Sequence, residues 1–205
     1  MHTTKLSPPK IEIPEKFNAA VHFIDRHLQE KRDNNIAIYY KDKKITYLEL
    51  QNMVNRIGNA LLNLGVEIEN RVLLILQDCP EFIASFFAAI KIGAIPVPVS
   101  TMMSHKDYLH FLQDSRSKVL IISEELLPQV EPLNKTAGFL KHVIIVEKAK
   151  EGFLSYVELT SQASSSLEAA DTCRDDACFW LFSSGSTGLP FFCRFPLYYH
   201  PFLSS

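Results

Sequence analysis

The stretch RVLLILQDCPEFIASFFAAIKIGAIPVPVS, residues 71–100, decides the fold that the sequence predicts. Residues 72–76 form a continuous apolar run, which is typical of a strand covered on both faces. An apolar helix pattern follows and stops near Gly93, a residue suited to a helix end. Residues 95–99 then form a second short extended segment. This strand–helix–strand order predicts one βαβ unit.

The ends of these segments carry their own signals. Asp78 and Glu81 have the spacing of a capping box, and Pro80 is tolerated in the first turn of a helix. Pro96 and Pro98 cannot donate backbone hydrogen bonds, so the second strand is expected at a strand end or at the edge of a sheet.

Working outward, strand and helix patterns continue to alternate. The further predicted strands are residues 36–40, 119–122, 143–146 and 177–182. Four further helices are predicted. The first carries the apolar series Phe17, Val21, Ile24 and Leu28, and the second runs from the capping pair Thr46 and Glu49 to Gly65. The other two cover residues 104–115 and residues 125–133, the last interrupted by Pro128. Such alternation predicts an α/β fold with a largely parallel sheet flanked by helices.

The chain divides into segments of different composition. Residues 1–16 are rich in proline and predict an extended N-terminal arm, and residues 17–190 carry the α/β pattern. Residues 160–176 are small and polar, which predicts a mobile surface connection. Residues 191–205 form a hydrophobic tail of different character.

Composition excludes several classes of function. The net charge of -2 favours neither nucleic acid nor an anionic membrane as a partner. The four cysteines form no CxxC pair and have no zinc-ligand spacing, so we expect no metal site, and a disulfide between Cys173 and Cys178 is conceivable but disfavoured. The chain has no signal-peptide pattern and no apolar run of about 20 residues, so we expect a soluble cytoplasmic protein.

The segment SSGSTGLP, residues 183–190, is the candidate site of chemistry. Gly185 and Gly188 let the backbone adopt angles closed to other residues and approach a ligand closely. Successive backbone N–H groups can then converge on phosphate oxygens. Uncharged hydroxyl donors come from Ser183, Ser184, Ser186 and Thr187. Ligands of open α/β sheets bind at the carboxyl ends of strands, where this segment is expected.

Other interpretations of the same segment stay open on composition. It is not a Walker loop, because the GxxxxGK[ST] spacing and its lysine are absent, and GxGxxG does not occur in the chain. A flexible turn of serine and glycine fits the composition as well. The apolar strand that precedes the segment favours phosphate binding.

Three segments in the same order resemble the adenylate-forming, or AMP-binding, superfamily of acyl-CoA ligases, luciferases and peptide-synthetase adenylation domains. SSGSTGLP resembles its phosphate-binding signature, and ITYLEL (residues 45–50) and AAIKIGAIPVPVS (residues 88–100) resemble its first two core motifs. Within this superfamily, benzoate-CoA ligases and their hydroxybenzoate relatives are most similar in sequence to three segments of the chain, NAAVHFIDRHLQE, AIYYKDKKITYLEL and VNRIGNALLNLGV.

The resemblance implies a reaction. A carboxylate attacks the α-phosphorus of MgATP to give an acyl-adenylate and pyrophosphate, and the thiol of coenzyme A then displaces AMP. In that scheme residues 183–188 hold the β- and γ-phosphates, and their donors stabilise the charge that builds on pyrophosphate. The other two motifs are expected to be architectural.

The sequence departs from the family signature after Pro190. Phe191 and Phe192 stand where the signature has Lys and Gly, and the tail fits neither a strand–loop–strand unit nor an amphipathic helix. Our hypothesis is a change of reading frame after Pro190, which the downstream DNA in the other two frames would test.

The parts of such enzymes that follow the loop, including the adenine and acyl pockets and the mobile C-terminal domain, have no counterpart in this sequence. We therefore assign no catalytic residue. His22, His27 and His110 are expected in packing or surface roles. Uncovered apolar surfaces are expected to make the fragment prone to aggregation.

Three functions compete. The first is a truncated ATP-dependent carboxylate-CoA ligase that is inactive alone. The second is a non-catalytic binding or interaction module that retains a vestigial phosphate loop. The third is a different nucleotide-binding α/β enzyme, which the missing Walker and dinucleotide fingerprints disfavour.

Overall fold

The computed structural model of the chain describes residues 12–130, 138–147, 150–183 and 191–196, with Ser183 and residues 191–196 described by backbone alone. The strands are β1 (Ile36–Tyr40), β2 (Lys43–Thr46), β3 (Arg71–Ile75), β4 (Ile95–Pro98), β5 (Val119–Ile122), β6 (His142–Ile145), β7 (Leu154–Ser155), β8 (Ala177–Ser183) and β9 (Phe191–Pro196). The helices are α1 (Arg26–Gln29), α2 (Tyr47–Asn63), α3 (Pro80–Lys91), α4 (His105–Ser115), α5 (Leu127–Val130) and α6 (Tyr156–Gln162), with a π-helical turn, Val21–Asp25, before α1 and a 3-10 turn, Glu124–Leu126, before α5. Within these ranges, no helix combines the length and the apolar character that crossing a bilayer requires.

A five-stranded parallel sheet in the order β4-β3-β5-β6-β7 forms the centre of the fold. In register, Val72 of β3 pairs with Pro96 of β4 on one side and with Val119 of β5 on the other. The predicted α/β fold with a largely parallel sheet is therefore confirmed. β4 is an edge strand of this sheet, as its prolines predict.

Each face of the sheet is covered by helices, and β3 shows how. Val72 and Leu74 point into one core with α2, α3 and α6, and Leu73 and Ile75 point into a second core with α4 and α5. All four side chains are fully buried. Because both faces of β3 are covered, its sequence is a continuous apolar run and does not alternate.

The helix ends follow the capping chemistry of the sequence in most places. Thr46 Oγ1 accepts a hydrogen bond from the Glu49 backbone N–H (3.2 Å), and the Glu49 carboxylate accepts from the Thr46 N–H (2.7 Å). Gly65 and Gly93 follow α2 and α3 with φ angles of 76° and 75°, in the left-handed region that favours glycine.

The predicted start of α3 was wrong by one residue. The cap is Cys79, not Asp78, and Cys79 makes no side-chain capping bond in the described part of the chain. Pro80 occupies the first helical position, where its fixed φ angle starts the helix and its missing N–H costs nothing. The residue before it is consequently the cap, whatever its side chain.

The predicted helix over residues 125–133 is broken up. A 3-10 turn, Glu124–Leu126, leads into the short helix α5, and residues 131–133 lie outside the described ranges. Pro128 sits inside α5, where a short helix has room for it in its first turn.

The predicted mobile connection, residues 160–176, is tied to α2 over much of its length. Its first residues belong to α6, and Ala163 beyond them is buried. Asn55 donates a side-chain hydrogen bond to the Ser165 carbonyl (2.7 Å), and Asn59 donates to the Ser164 carbonyl (2.9 Å). The predicted surface position is correct, since residues 164–166 are exposed, and side-chain donors from α2 satisfy backbone carbonyls of the segment.

Candidate functional site

The candidate phosphate segment follows β8. Ser183 is the last residue of that strand, and its side chain is not described. The other predicted phosphate-binding residues, which lie outside the described residues, are Ser184, Gly185, Ser186, Thr187 and Gly188. Their role stays a prediction, and the described part of the candidate site consists of β8 and β9, the strands that flank the segment.

β8 lies beside β4, the edge strand of the parallel sheet. Ala177, at the start of β8, lines a small cavity of about 90 Å³ together with Gly93 and Ala94, which precede β4. The two strands therefore begin at the same edge of the molecule and run alongside each other. β8 consequently ends toward the carboxyl edge of the sheet, where α/β proteins bind ligands.

Aromatic packing anchors the end of β8 that leads into the segment. The ring of Phe182 lies 4.4 Å from that of Phe111 in α4, centroid to centroid. The guanidinium of Arg71, at the start of β3, lies 5.6 Å from the centroid of Trp180. These contacts hold β8 against α4 and against the start of β3.

β8 is less buried than its apolar sequence predicts. Cys178 is buried, but Leu181 is 38% exposed and the neighbouring described side chains are half-buried. The reason is its position, because β8 pairs with β9 in a separate two-stranded sheet. A strand in such a sheet covers one face against the core and leaves the other open.

The tail beyond Pro190 was predicted to fit neither a strand–loop–strand unit nor an amphipathic helix. The structure describes one strand in it, and residues 197–205 lie outside the described ranges. Phe191–Pro196 forms β9, which pairs antiparallel with β8 in a register that places Phe191 opposite Ser183. Aromatic residues favour strands, and Phe191, Phe192 and Phe195 lie in β9. Residues 184–190 therefore connect two paired strands.

The first two core motifs lie in the scaffold, as expected. ITYLEL supplies β2, the cap of α2 and its first turn. AAIKIGAIPVPVS supplies the end of α3 and β4.

Sequence reasoning missed a buried polar cluster within the second motif. The ammonium of Lys91, whose side chain is 3% exposed, lies 2.7 Å from the Asp25 carboxylate and 2.8 Å from Asn55 Oδ1. Gln51 donates to the same carboxylate (2.8 Å). The available signal was a lysine at the end of an otherwise apolar helix, since lysine is almost never fully buried unless it is paired.

The three predicted structural histidines contact aromatic rings. His27 stacks on Tyr47 with ring centroids 3.6 Å apart, His22 contacts Phe17 and Phe23, and His110 packs near Phe111. Burial, followed by the charges of Arg32 and Arg26, lowers the pKa of His27. These contacts confirm the packing role that the sequence predicted.

Three of the four cysteines have side chains that the structure describes. Cys79, Cys173 and Cys178 carry free thiols, and burial raises the pKa of Cys79 and of Cys178 to about 11. In the ranges that the structure describes, no group of three or more His, Cys, Asp or Glu side chains is placed to hold a metal ion. The disfavoured disulfide between Cys173 and Cys178 is not formed.

The parallel sheet, the helices on both of its faces and the hydroxyl-rich segment after β8 define an α/β protein of the adenylate-forming class. The chain belongs to the family described as AMP-binding enzyme, whose model matches residues 24–190.

Individual relatives agree with this family. The chain is 40% identical over 186 residues to a benzoate–CoA ligase of Thauera aromatica. The aligned region covers 90% of this chain and 35% of the relative. It is 38% identical over 174 residues to a 4-hydroxybenzoate–CoA/benzoate–CoA ligase of Rhodopseudomonas palustris, in an alignment that covers 85% of this chain and 32% of the relative. The structure of an anthranilate CoA ligase in complex with anthranoyl-AMP matches with a TM-score of 0.85 and 35% identity, covering 89% of this chain and 35% of that one.

The predicted similarity to benzoate-CoA ligases is thereby confirmed. The chain spans about one third of the length of the relatives that it matches.

Proposed function

We propose that this chain is the ATP phosphate-binding part of a cytoplasmic, AMP-forming ligase that joins an aromatic carboxylic acid such as benzoate to coenzyme A. The observation that carries the proposal is 40% identity to a benzoate–CoA ligase across 90% of this chain. The phosphate signature, residues 183–188, lies within the family match over residues 24–190 and begins at the last residue of β8, which runs beside the edge of the parallel sheet.

The loop would act on the leaving group of the first step. The carboxylate attacks the α-phosphorus of ATP, the bond to the β-phosphate oxygen breaks, and pyrophosphate leaves. Gly185 and Gly188 allow backbone N–H groups to approach the β- and γ-phosphates, and Ser186 and Thr187 add hydroxyl donors. Donors placed around the leaving group are worth most as its charge grows in the transition state.

The complete reaction also uses Mg²⁺ with ATP and, in a second step, the thiol of coenzyme A. The thiol attacks the acyl-adenylate carbonyl and AMP leaves, which gives the acyl-CoA. Because the chain spans about one third of its relatives, we propose that it does not complete this turnover alone.

A chimeric enzyme tests the proposal. Residues 12–190 would replace the matching third of the Thauera aromatica ligase, and AMP release would be measured with MgATP, benzoate and coenzyme A. We expect the chimera to form AMP and the isolated chain to form none. A chimera that folds, as judged by circular dichroism, and yet forms no AMP would contradict the proposal.

Matched variants of the chimera locate the effect. Ser186→Ala with Thr187→Ala removes two hydroxyls from the loop, and we expect the rate of AMP formation to fall about a hundredfold. Ser165→Ala with Ser166→Ala removes two exposed hydroxyls from the connection before β8 and should leave the rate unchanged.

A further inference from the structure

A basic depression lies at the edge of the sheet where its strands begin. Arg71 is the first residue of β3, and Lys118 and Lys141 directly precede β5 and β6. Because these strands are parallel, their starts meet at one edge. Together with Arg116 the three residues line an open depression of about 390 Å³.

The charge of this depression is strongly positive although the chain as a whole carries -2. Four cationic side chains line it, and the described lining includes one carboxylate, that of Glu67. Among the described residues, none of the four cations forms an ion pair with a carboxylate. Burial and, after it, the charge of Arg116 lower the pKa of Arg71, whereas the charge of Glu69 raises it.

Part of this charge has a structural role. Arg71 Nε donates to the carbonyl of Ser115 at the end of α4 (2.6 Å), and Lys118 donates to the carbonyl of Gly65 just after α2. Cations at helix C-termini are favourable, so these two bonds account for Arg71 and for one donor of Lys118.

The cationic side chains of the depression have more hydrogen-bond donors than their contacts with described residues use. A lysine has three donors and an arginine has five. Lys141 uses one, to the Gly138 carbonyl (3.2 Å), and the Arg116 guanidinium lies over the ring of Phe139, 5.4 Å from its centroid. Arg116 also has a φ angle of 49°, which a side chain other than glycine adopts at a cost. Among the described residues, Arg116, Lys118 and Lys141 therefore keep donors that have no hydrogen-bond partner, and all three residues line one open depression.

We propose that this depression is a second anion site, distinct from the loop after β8, and that it binds a small phosphorylated molecule with at least two phosphates. The volume lies within the range of small-ligand pockets, about 300–1,000 Å³. Arginine and lysine are the residues that pair with phosphate. Phe139 is 48% exposed beside Arg116 and offers a flat apolar face next to the charges.

Lysine footprinting tests the site directly. The wild-type chain would be acetylated with and without millimolar pyrophosphate, and modification of each lysine read by mass spectrometry. We expect Lys118 and Lys141 to be protected and the exposed Lys43 and Lys44 to be unaffected. Unchanged modification of Lys118 and Lys141 at saturating pyrophosphate would overturn the proposal.

Variants separate this site from the proposed function. Lys118→Gln with Lys141→Gln should weaken pyrophosphate binding at least about tenfold, whereas Lys43→Gln with Lys44→Gln removes the same charge elsewhere and should not. In the loop variant Ser186→Ala with Thr187→Ala the protection of Lys118 and Lys141 should persist. Its disappearance there would assign the anion to the loop and reject the second site.

A comparison of ligands identifies the source of the phosphates. Equal affinities for ADP and pyrophosphate at Lys118 and Lys141 would indicate a free polyphosphate. Tighter binding of ADP that Phe139→Ala removes would indicate a nucleotide. Binding of neither ligand in the footprint would contradict the proposal.

Discussion

Lys91 is the residue on which the packing of the N-terminal segment depends, through its buried ammonium group. It joins Asp25, from the turn before α1, to Asn55 of α2 and is itself the last residue of α3. A charge removed from water is costly unless partners replace its hydration, and here a carboxylate and an amide oxygen do so. The contact therefore fixes three elements relative to one another.

Removing the ammonium should destabilise the chain strongly. Lys91→Met leaves the Asp25 carboxylate, 14% exposed, without its cation, and we expect a loss of about 3–5 kcal/mol in the free energy of unfolding. Urea denaturation followed by circular dichroism measures it. The double variant Lys91→Met with Asp25→Leu removes both charges and should recover most of the loss. A single variant as stable as the wild type would contradict this account.

Sequence reasoning could not have found the partners of Lys91. Asp25 and Asn55 lie 66 and 36 positions away along the chain, on elements with their own clear patterns. The apolar surroundings of Lys91 signal that it needs a partner, but the choice of partner depends on how α2 and α3 pack.

At the scale of the element, the start of α2 is stabilised by a reciprocal pair of bonds. The Glu49 carboxylate accepts hydrogen bonds from the Thr46 backbone N–H and hydroxyl, and these bonds, the backbone one first, lower the pKa of Glu49 below its ordinary value of 4.5. A carboxyl group whose pKa is lower in the folded state than in the unfolded state stabilises the folded state at pH values above its unfolded pKa. That contribution disappears as pH falls through the lower, folded value.

The pH dependence of stability tests this cap. At neutral pH the wild type should unfold at a higher temperature than Glu49→Gln, and the difference should shrink as pH falls below 4.5. Thermal unfolding at a series of pH values measures both proteins. Glu151→Gln, an exposed glutamate in a turn outside any cap, is the matched control and should show no such trend. A difference that stays constant with pH would argue against the cap.

Elements with strong local signals were predictable from sequence, and those that depend on neighbours were not. β3 and α2 follow from an apolar run and from a capping box with a 3.6-residue period. The exposure of β8 depends on which strand pairs with it, and the pairing of β9 depends on β8 in turn. Local pattern identifies a strand but does not specify its sheet.

At the scale of the whole molecule, the two candidate sites are predicted at different edges of the sheet. The strands begin at the basic depression around Lys118 and Lys141, and β8 leads toward the opposite edge and into residues 184–190. Ligand sites in α/β proteins gather at the carboxyl ends of strands, which is the edge toward which β8 leads. The candidate phosphate loop was identifiable from sequence by its glycines and hydroxyls, whereas the depression combines residues from separate segments.

The binding of MgATP by the chain tests the central claim most directly. Trp180 is the single tryptophan of the sequence and lies in β8, close before the loop, so its fluorescence can report on the loop without a label. Arg71 of the basic depression lies beside Trp180, so every protein in this test carries Lys118→Gln with Lys141→Gln. In that background we predict a saturable fluorescence change with MgATP that persists in Ser165→Ala with Ser166→Ala and is lost in Ser186→Ala with Thr187→Ala. Equal saturable binding by both pairs of variants, or binding by neither pair nor the background protein, would contradict the assignment of this loop to the phosphates of ATP.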